Sequence, residues 1–86
     1  MSSYAISFIR SARKELENLE TESVKKVFLK IESLSIFPRP MGCEKLQGRN
    51  NLWRIRVGDY RIIYIIDDMY KTIEIRRIRH RKDAYR

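Results

Sequence analysis

The sequence has little of what disulfide-linked or zinc-binding proteins need. Its 86 residues include one cysteine, Cys43, and one histidine, His80. A single cysteine excludes an internal disulfide and favours a reducing compartment, so we expect a cytoplasmic protein. One cysteine and one histidine cannot form an ordinary structural zinc site, so we expect neither a metal nor another cofactor.

Long apolar runs and processing signals are also missing. The apolar stretches are too short to span a bilayer, and no signal peptide opens the chain. No glycine-rich phosphate loop, internal repeat or low-complexity segment is found. The length predicts a single domain, residues 1–86, with one modest core.

Acidic residues are scarce relative to basic ones. Lys and Arg number 19 against 11 Asp and Glu, a net charge of +8. Residues 44–86 hold 12 of the basic and 6 of the acidic side chains, whereas residues 1–43 hold 7 and 5. A basic carboxyl-terminal half indicates a surface for a polyanion, with nucleic acid as the first interpretation and an anionic membrane surface as the second.

The most informative segment is 52–66, where polar and apolar residues alternate on both sides of Gly58-Asp59. A period of two on both sides of such a pair predicts a two-residue β-hairpin, and glycine at the first turn position favours type II′. We expect strands at 52–58 and 60–67, and a third strand at 72–79 after a second turn.

In this hairpin Arg56 should face Arg61, with Arg54 on the same side of the sheet. Like charges facing each other are unfavourable, so the arrangement predicts an anionic ligand on this face. A solvated arginine face is the alternative interpretation. In the third strand the alternation breaks between Ile75 and Ile78, which predicts a bulge or the strand end near Arg76-Arg77.

The amino-terminal half predicts a strand at 4–9 and two helices. Ser11 and Thr21 are the expected N-caps, and the second helix should end near Phe37-Pro38. Its apolar stripe is Val24, Val27, Phe28, Ile31 and Leu34. We therefore predict an α+β fold in which an N-terminal strand and an antiparallel helical hairpin precede a three-stranded antiparallel meander. The helices should cover the face that carries Trp53, Ile55, Val57, Ile62, Tyr64, Ile66, Ile73 and Ile75.

Fixed cations beside a histidine or tyrosine suit cleavage of RNA through its own 2′-hydroxyl. The substrate supplies the nucleophile, and the protein must orient it, move two protons and stabilise a dianionic phosphorane. Arginine binds phosphate oxygens bidentately. His80 and Tyr85 are the nearby candidates for proton transfer.

Three segments together resemble the RelE/ParE superfamily of bacterial and archaeal toxins. They are Lys45-Leu46-Gln47-Gly48, the hairpin from Leu52 to Tyr64, and Ile78-Arg79-His80-Arg81-Lys82-Asp83-Ala84-Tyr85. The resemblance implies a type II toxin that cuts translated mRNA on the ribosome. It also implies an acidic RelB-like antitoxin as partner, operator DNA bound only through the toxin–antitoxin complex, and no membrane partner.

The resemblance assigns roles to individual residues. It implies a catalytic set of Arg54, Arg56, Arg61 and Arg81, with Tyr85 as general base and His80 as a candidate acid. Further basic side chains are expected to contact RNA or the ribosome: Lys45, Arg76, Arg77, Arg79, Lys82 and Arg86.

The chain departs from the RelE pattern at the paired basic positions. RelE toxins often carry lysines there, and arginine at both positions keeps the charge but excludes an ammonium proton donor. The stretch from Arg81 to Tyr85 is shorter than in some members. Two alternatives stay open, a ParE-like inhibitor of DNA gyrase and a non-catalytic nucleic-acid binding module.

Overall fold

A computed structural model describes residues 3–48 and 51–82, which form two helices and a five-stranded sheet. The chain order is β1 (Ala5–Phe8), α1 (Arg10–Glu17), α2 (Thr21–Ser33), β2 (Glu44–Lys45), β3 (Leu52–Val57), β4 (Tyr60–Asp67) and β5 (Thr72–His80). In space the strands lie in the order β1-β5-β4-β3-β2. The predicted α+β class is confirmed, with the strand bounds of the meander correct to within one residue.

The hairpin between β3 and β4 has the predicted register. Val57 pairs with Tyr60 across the turn. Gly58 has a φ of 59°, whereas Asp59 is not among the residues with positive φ. Positive φ at the first turn position alone is the φ pattern of a type II′ turn, which a residue with a Cβ adopts only at a cost.

The predicted irregularity in β5 is confirmed as a bulge at Arg76. Ile63 pairs with Arg77 while Tyr64 pairs with Ile75, so Arg76 has no partner of its own on β4. The extra residue resets the alternation and returns Ile78 to the buried face, where it is 3% exposed.

The first helix begins at Arg10, so the prediction of Ser11 as its N-cap is wrong. Strand β1 runs parallel to β5, and as the chain leaves the sheet the N–H of Ile9 donates to the carbonyl of Ile75 at 3.1 Å. Ile9 is the N-cap and has no side-chain cap. A sheet contact made 66 residues along the chain, and not a local hydroxyl, therefore decides where α1 starts.

The second helix also differs at both ends from the prediction. Glu20 is its N-cap and Thr21 its first residue. It ends at Ser33, and not near Phe37, because Ser35 turns away to bond the start of β1. The N–H of Tyr4 donates to the Ser35 carbonyl at 2.9 Å, and the Ser35 hydroxyl donates to the Tyr4 carbonyl at 2.8 Å.

Strand β2 was not predicted. It pairs antiparallel with β3 and ends in a bond from the Leu46 N–H to the Leu52 carbonyl at 2.8 Å. With only two residues, it has too short a pattern to be recognised in a sequence.

The core lies between the helices and one face of the sheet, as predicted. Phe28 is the exception in the α2 stripe, since it is 43% exposed. None of the helices in the described residues is both long and apolar enough to span a bilayer. The buried side chains are Ala12, Val27, Ile31, Leu34, Ile55, Ile62, Tyr64, Ile66, Ile73, Ile75 and Ile78.

Candidate active site

Three arginines stand side by side across the sheet face that the helices do not cover. Arg56 pairs with Arg61, and Arg61 pairs with Arg79 on its other side. Directly paired residues project to the same face with Cβ atoms about 4.5–5.5 Å apart. Arg56, Arg61 and Arg79 therefore form a line perpendicular to the strands, which we call the arginine row, on what we call the open face.

A second line runs parallel to the arginine row two residues away. In it Ile63 lies between Arg54 on β3 and Arg77 on β5. Arg54 is thus on the open face, as predicted. The register of Arg77 and Arg79 was beyond sequence reasoning, because it depends on which residue of β5 forms the bulge.

The arginine row borders a cavity of about 250 Å³ at the hairpin turn. Arg81 reaches it because its backbone N–H donates to the Asp59 carbonyl at 2.7 Å, and its guanidinium lies 4.0 Å from the Asp59 carboxylate. Three of the predicted catalytic arginines are thereby brought together. The lining residues are Arg56, Gly58, Asp59, Tyr60, Arg61 and Arg81.

Carboxylates neutralise the margins of the open face. Arg54 is paired with Glu44 on β2. At the other margin, Arg79 Nε lies 3.1 Å from a carboxylate oxygen of Glu15 on α1. Neither glutamate was predicted, because each meets its arginine only through the tertiary fold.

Further along β5, Arg76 forms an ion pair with Glu74 at 2.9 Å. Within residues 3–48 and 51–82, Arg56 and Arg77 are exposed and form no salt bridge. Positive charge that no described carboxylate offsets on the open face therefore includes Arg56 on β3 and Arg77 on β5, where an anion would bind.

His80 lies at the end of β5, but its register separates it from the arginine row. It pairs with Tyr60, one position beyond the pair of Arg61 and Arg79, so it projects to the opposite face. Its ring meets the Tyr60 ring edge-on, with centroids 5.2 Å apart. Its Nδ1 accepts a hydrogen bond from the Lys82 N–H at 3.2 Å.

The remaining predicted contact residues are scattered. Lys45 is exposed on β2 and pairs with Trp53, so it lies on the opposite side of the sheet from Arg54. Lys82 is exposed just beyond β5. Tyr85 and Arg86 lie outside the described residues.

Two titratable side chains away from the cavity have structural roles. Tyr64 is fully buried, and its hydroxyl donates to the Pro38 carbonyl at 2.8 Å. Burial raises its pKa well above the usual range, so it cannot act as a base near neutral pH. Asp68 is a turn residue, and hydrogen bonds from Arg39 and Tyr4 lower its pKa to about 2.

In the described part of the chain, no group of three or more His, Cys, Asp or Glu side chains is placed to hold a metal ion. The cavity lining offers three guanidinium groups to a ligand, those of Arg56, Arg61 and Arg81. They can bind a phosphate from several directions and stabilise added negative charge on it.

Comparison with known proteins agrees with this fold and charge distribution. The sequence profile of the ParE toxin of type II toxin–antitoxin systems, parDE, matches residues 6–85. The chain therefore belongs to this family of toxins, within the RelE/ParE superfamily.

Individual relatives span nearly the whole chain. Toxin RelG of Mycobacterium tuberculosis is 32% identical over 84 residues, covering 96% of this chain and 97% of the relative. Toxin RelE3 of Methanocaldococcus jannaschii is 35% identical over 85 residues, covering 93% of each. The fold is similar to that in the RelE–RelB complex of Pyrococcus horikoshii, with a TM-score of 0.81 and 28% identity over 91% of this chain and 94% of the other.

Proposed function

We propose that this toxin is an endoribonuclease that cleaves translated mRNA on the ribosome, in the cytoplasm, through attack of a 2′-hydroxyl on the adjacent phosphate. The observation that carries the proposal is the arginine row beside a cavity that Arg81 also lines. The relatives named RelE and RelG support the RNase branch of the superfamily.

The arginines suit the needs of this reaction. Attack by the 2′-hydroxyl adds negative charge to the phosphate, and guanidinium groups held beforehand at that point stabilise it without reorganising. Arg56, Arg61 and Arg81 line one cavity and are the proposed phosphate clamp. Arg54, in the neighbouring line, would orient the adjoining nucleotide.

Proton transfer needs other groups, because arginine stays protonated near neutral pH. We assign Tyr85 as general base, because the resemblance to RelE toxins implies that role for the tyrosine at this position of the sequence. His80 is proposed as the acid for the 5′-oxygen from the family resemblance alone, since it projects to the face opposite the arginine row. Because its Nδ1 accepts the Lys82 N–H, a neutral ring carries its proton on Nε2.

Replacing these two residues tests the assignment. Tyr85→Phe should slow single-turnover cleavage by about 10²-fold or more, the usual size of a general-base contribution. His80→Gln should also slow cleavage. Wild-type rates in both variants would mean that the ribosome supplies the proton transfers.

Contacts outside the cavity would hold the RNA and the ribosome. Arg77 and Arg79 lie on the open face, and Arg76 and Lys82 lie at and beyond the bulge of the same strand. Lys45 would contact the ribosome from the other side of the sheet. Arg86 is included from its position in the sequence alone.

The proposed partner is an acidic, RelB-like antitoxin whose bound segment covers the open face. The similar structure is a RelE–RelB complex, and a net charge of +8 favours fast association with an acidic chain. Operator DNA would be bound only through that complex. The association rate should fall as salt rises. Rates that do not depend on salt would contradict the proposal.

Inhibition of DNA gyrase is the second candidate, because the family profile that matches is that of the ParE toxin. One experiment separates the two. The toxin is induced without an antitoxin, mRNA ends are mapped by primer extension, and purified toxin is added to a gyrase supercoiling assay. Cleaved translated mRNA with normal supercoiling supports the RNase, whereas intact mRNA with blocked supercoiling overturns it.

A further inference from the structure

The carboxyl-terminal half of β5 has an edge that no strand of the described residues covers. Strand β1 pairs with Thr72–Ile75 and then leaves the sheet at Ile9. Helix α1 follows immediately and lies beside this exposed edge. Unpaired backbone N–H groups at such an edge need an acceptor.

Glu15 of α1 supplies that acceptor and reaches an arginine at the same time. Its Oε1 accepts the Ile78 N–H at 2.9 Å, and its Oε2 lies 3.1 Å from Arg79 Nε. The glutamate side chain is 25% exposed and the arginine side chain 39%, so both are partly shielded from water. One carboxylate thus joins the sheet edge to the end of the arginine row.

The atom that Glu15 binds matters for the chemistry. A guanidinium has five N–H donors, of which one is on Nε and four are on the terminal nitrogens. An ion pair at Nε leaves the terminal pair free to bind two oxygens of a phosphate. Glu15 also offsets one charge of the arginine row, which makes it less costly to place Arg79 beside Arg61.

We infer that Glu15 is a positioning residue that holds the Arg79 guanidinium in the arginine row, with its terminal nitrogens directed to an RNA phosphate. This inference rests on the proposed function. The other interpretation is that Glu15 only closes the sheet edge. The two interpretations differ in what happens when the charge is removed but the acceptor for Ile78 is kept.

Glu15→Gln makes that change, since the amide oxygen can still accept the Ile78 N–H. Without the carboxylate Arg79 keeps its charge but loses its fixed direction. Single-turnover cleavage on programmed ribosomes should therefore slow by about 10-fold, while affinity for a 2′-deoxy oligonucleotide stays the same or tightens. In an Arg79→Ala background Glu15→Gln should cause no further loss.

The matched control is Glu17→Gln on the same helix, which removes an equal charge. Glu17 pairs only loosely with Arg13, at 3.8 Å, and both side chains are well exposed. This variant should cleave at the wild-type rate. Wild-type cleavage by Glu15→Gln, or losses that multiply with those of Arg79→Ala, would overturn the inference and leave Glu15 as an edge cap.

A second readout keeps the inference separable from the proposed function. If the wild type does not cleave RNA at all, the proposed function fails. The inference is then judged by NMR of the Arg79 Nε–Hε group during titration with the 2′-deoxy oligonucleotide. A shift in the wild type that is lost in Glu15→Gln supports it, and equal shifts in both proteins overturn it.

Discussion

The two faces of this sheet are built from alternate residues of the same strands, yet they differ in what their side chains do. Ile62, Ile66 and Ile73 on the covered face are fully buried. On the open face, the paired side chains of Arg56, Arg61 and Arg79 bring like charges together. Burial of apolar area stabilises the first arrangement, whereas repulsion between like charges in the second opposes folding slightly.

This contrast separates stability from function along a single strand. In β4, Ile66 contributes to the core and Ile65, its neighbour, lies on the open face with partial exposure. Changes on the covered face should therefore alter the free energy of unfolding. Changes in the arginine row should alter RNA chemistry and leave folding nearly intact.

The largest expected effect is on the covered face. Ile66→Ala leaves a cavity among helix and sheet side chains and should cost about 2–5 kcal/mol of unfolding free energy. For a small domain with a total of about 5–15 kcal/mol, this is a major loss. Urea unfolding measures it. Ile65→Ala, with the same chemical change on the open face, should cost about 1 kcal/mol, and equal costs would break the comparison.

The second prediction concerns the centre of the arginine row. On the proposed function, Arg61→Ala should weaken the stabilisation of transition-state charge and slow single-turnover cleavage by about 10²–10³-fold. It should cost about 1 kcal/mol of stability or less, because little apolar area is buried there. The control is Arg13→Ala, which changes an exposed side chain of α1 and should cleave normally. A large drop in melting temperature with unchanged cleavage would contradict the assignment.

A smaller effect tests a polar contact at the edge of the core, the bond from the Tyr64 hydroxyl to the Pro38 carbonyl. Tyr64→Phe removes the hydroxyl that donates to the Pro38 carbonyl and should cost about 1–2 kcal/mol. Tyr70→Phe changes a tyrosine that is 75% exposed and should be close to neutral. If the two variants melt alike, the Tyr64 hydroxyl does not help to hold the loop at 38–40.

The smallest effect should come from Asp68, at the end of the sheet. Because Arg39 lowers its pKa from 3.8 to about 2, its ion pair stabilises the protein above pH 4. That contribution should disappear as pH falls from about 4 to about 2. The difference in urea midpoint between wild type and Asp68→Asn should shrink over this range. It should also be smaller in 1 M NaCl, since the pair is exposed.

Local patterns were sufficient for much of the sheet. Alternation and a glycine at the first turn position set the register of β3 and β4, and with it the facing of Arg56 and Arg61. The break in alternation between Ile75 and Ile78 predicted a bulge near Arg76-Arg77, and the bulge lies at Arg76. These features depend on neighbours a few residues apart, which is why they could be predicted.

Helix ends were harder, because distant contacts decide them. Ser11 and Thr21 are good N-caps by residue type, yet the N-caps are Ile9, which bonds β5, and Glu20. The end of α2 lies close to Ser35, which bonds Tyr4. These hydrogen bonds join residues far apart in the sequence and fix where the chain enters or leaves a helix. Local propensity then has no further effect on the boundary.

The α+β class, the core face of the meander, the basic character of the other face and the superfamily all followed from the order of the residues. Packing and register decided that Arg79 completes the arginine row and that His80 turns to the opposite side. They also decided that Glu44 and Glu15 lie at the margins of the open face. The physical reason is that periodicity states only which face a residue occupies. Which residues of that face meet depends on register, on one bulge and on where a helix crosses the sheet edge.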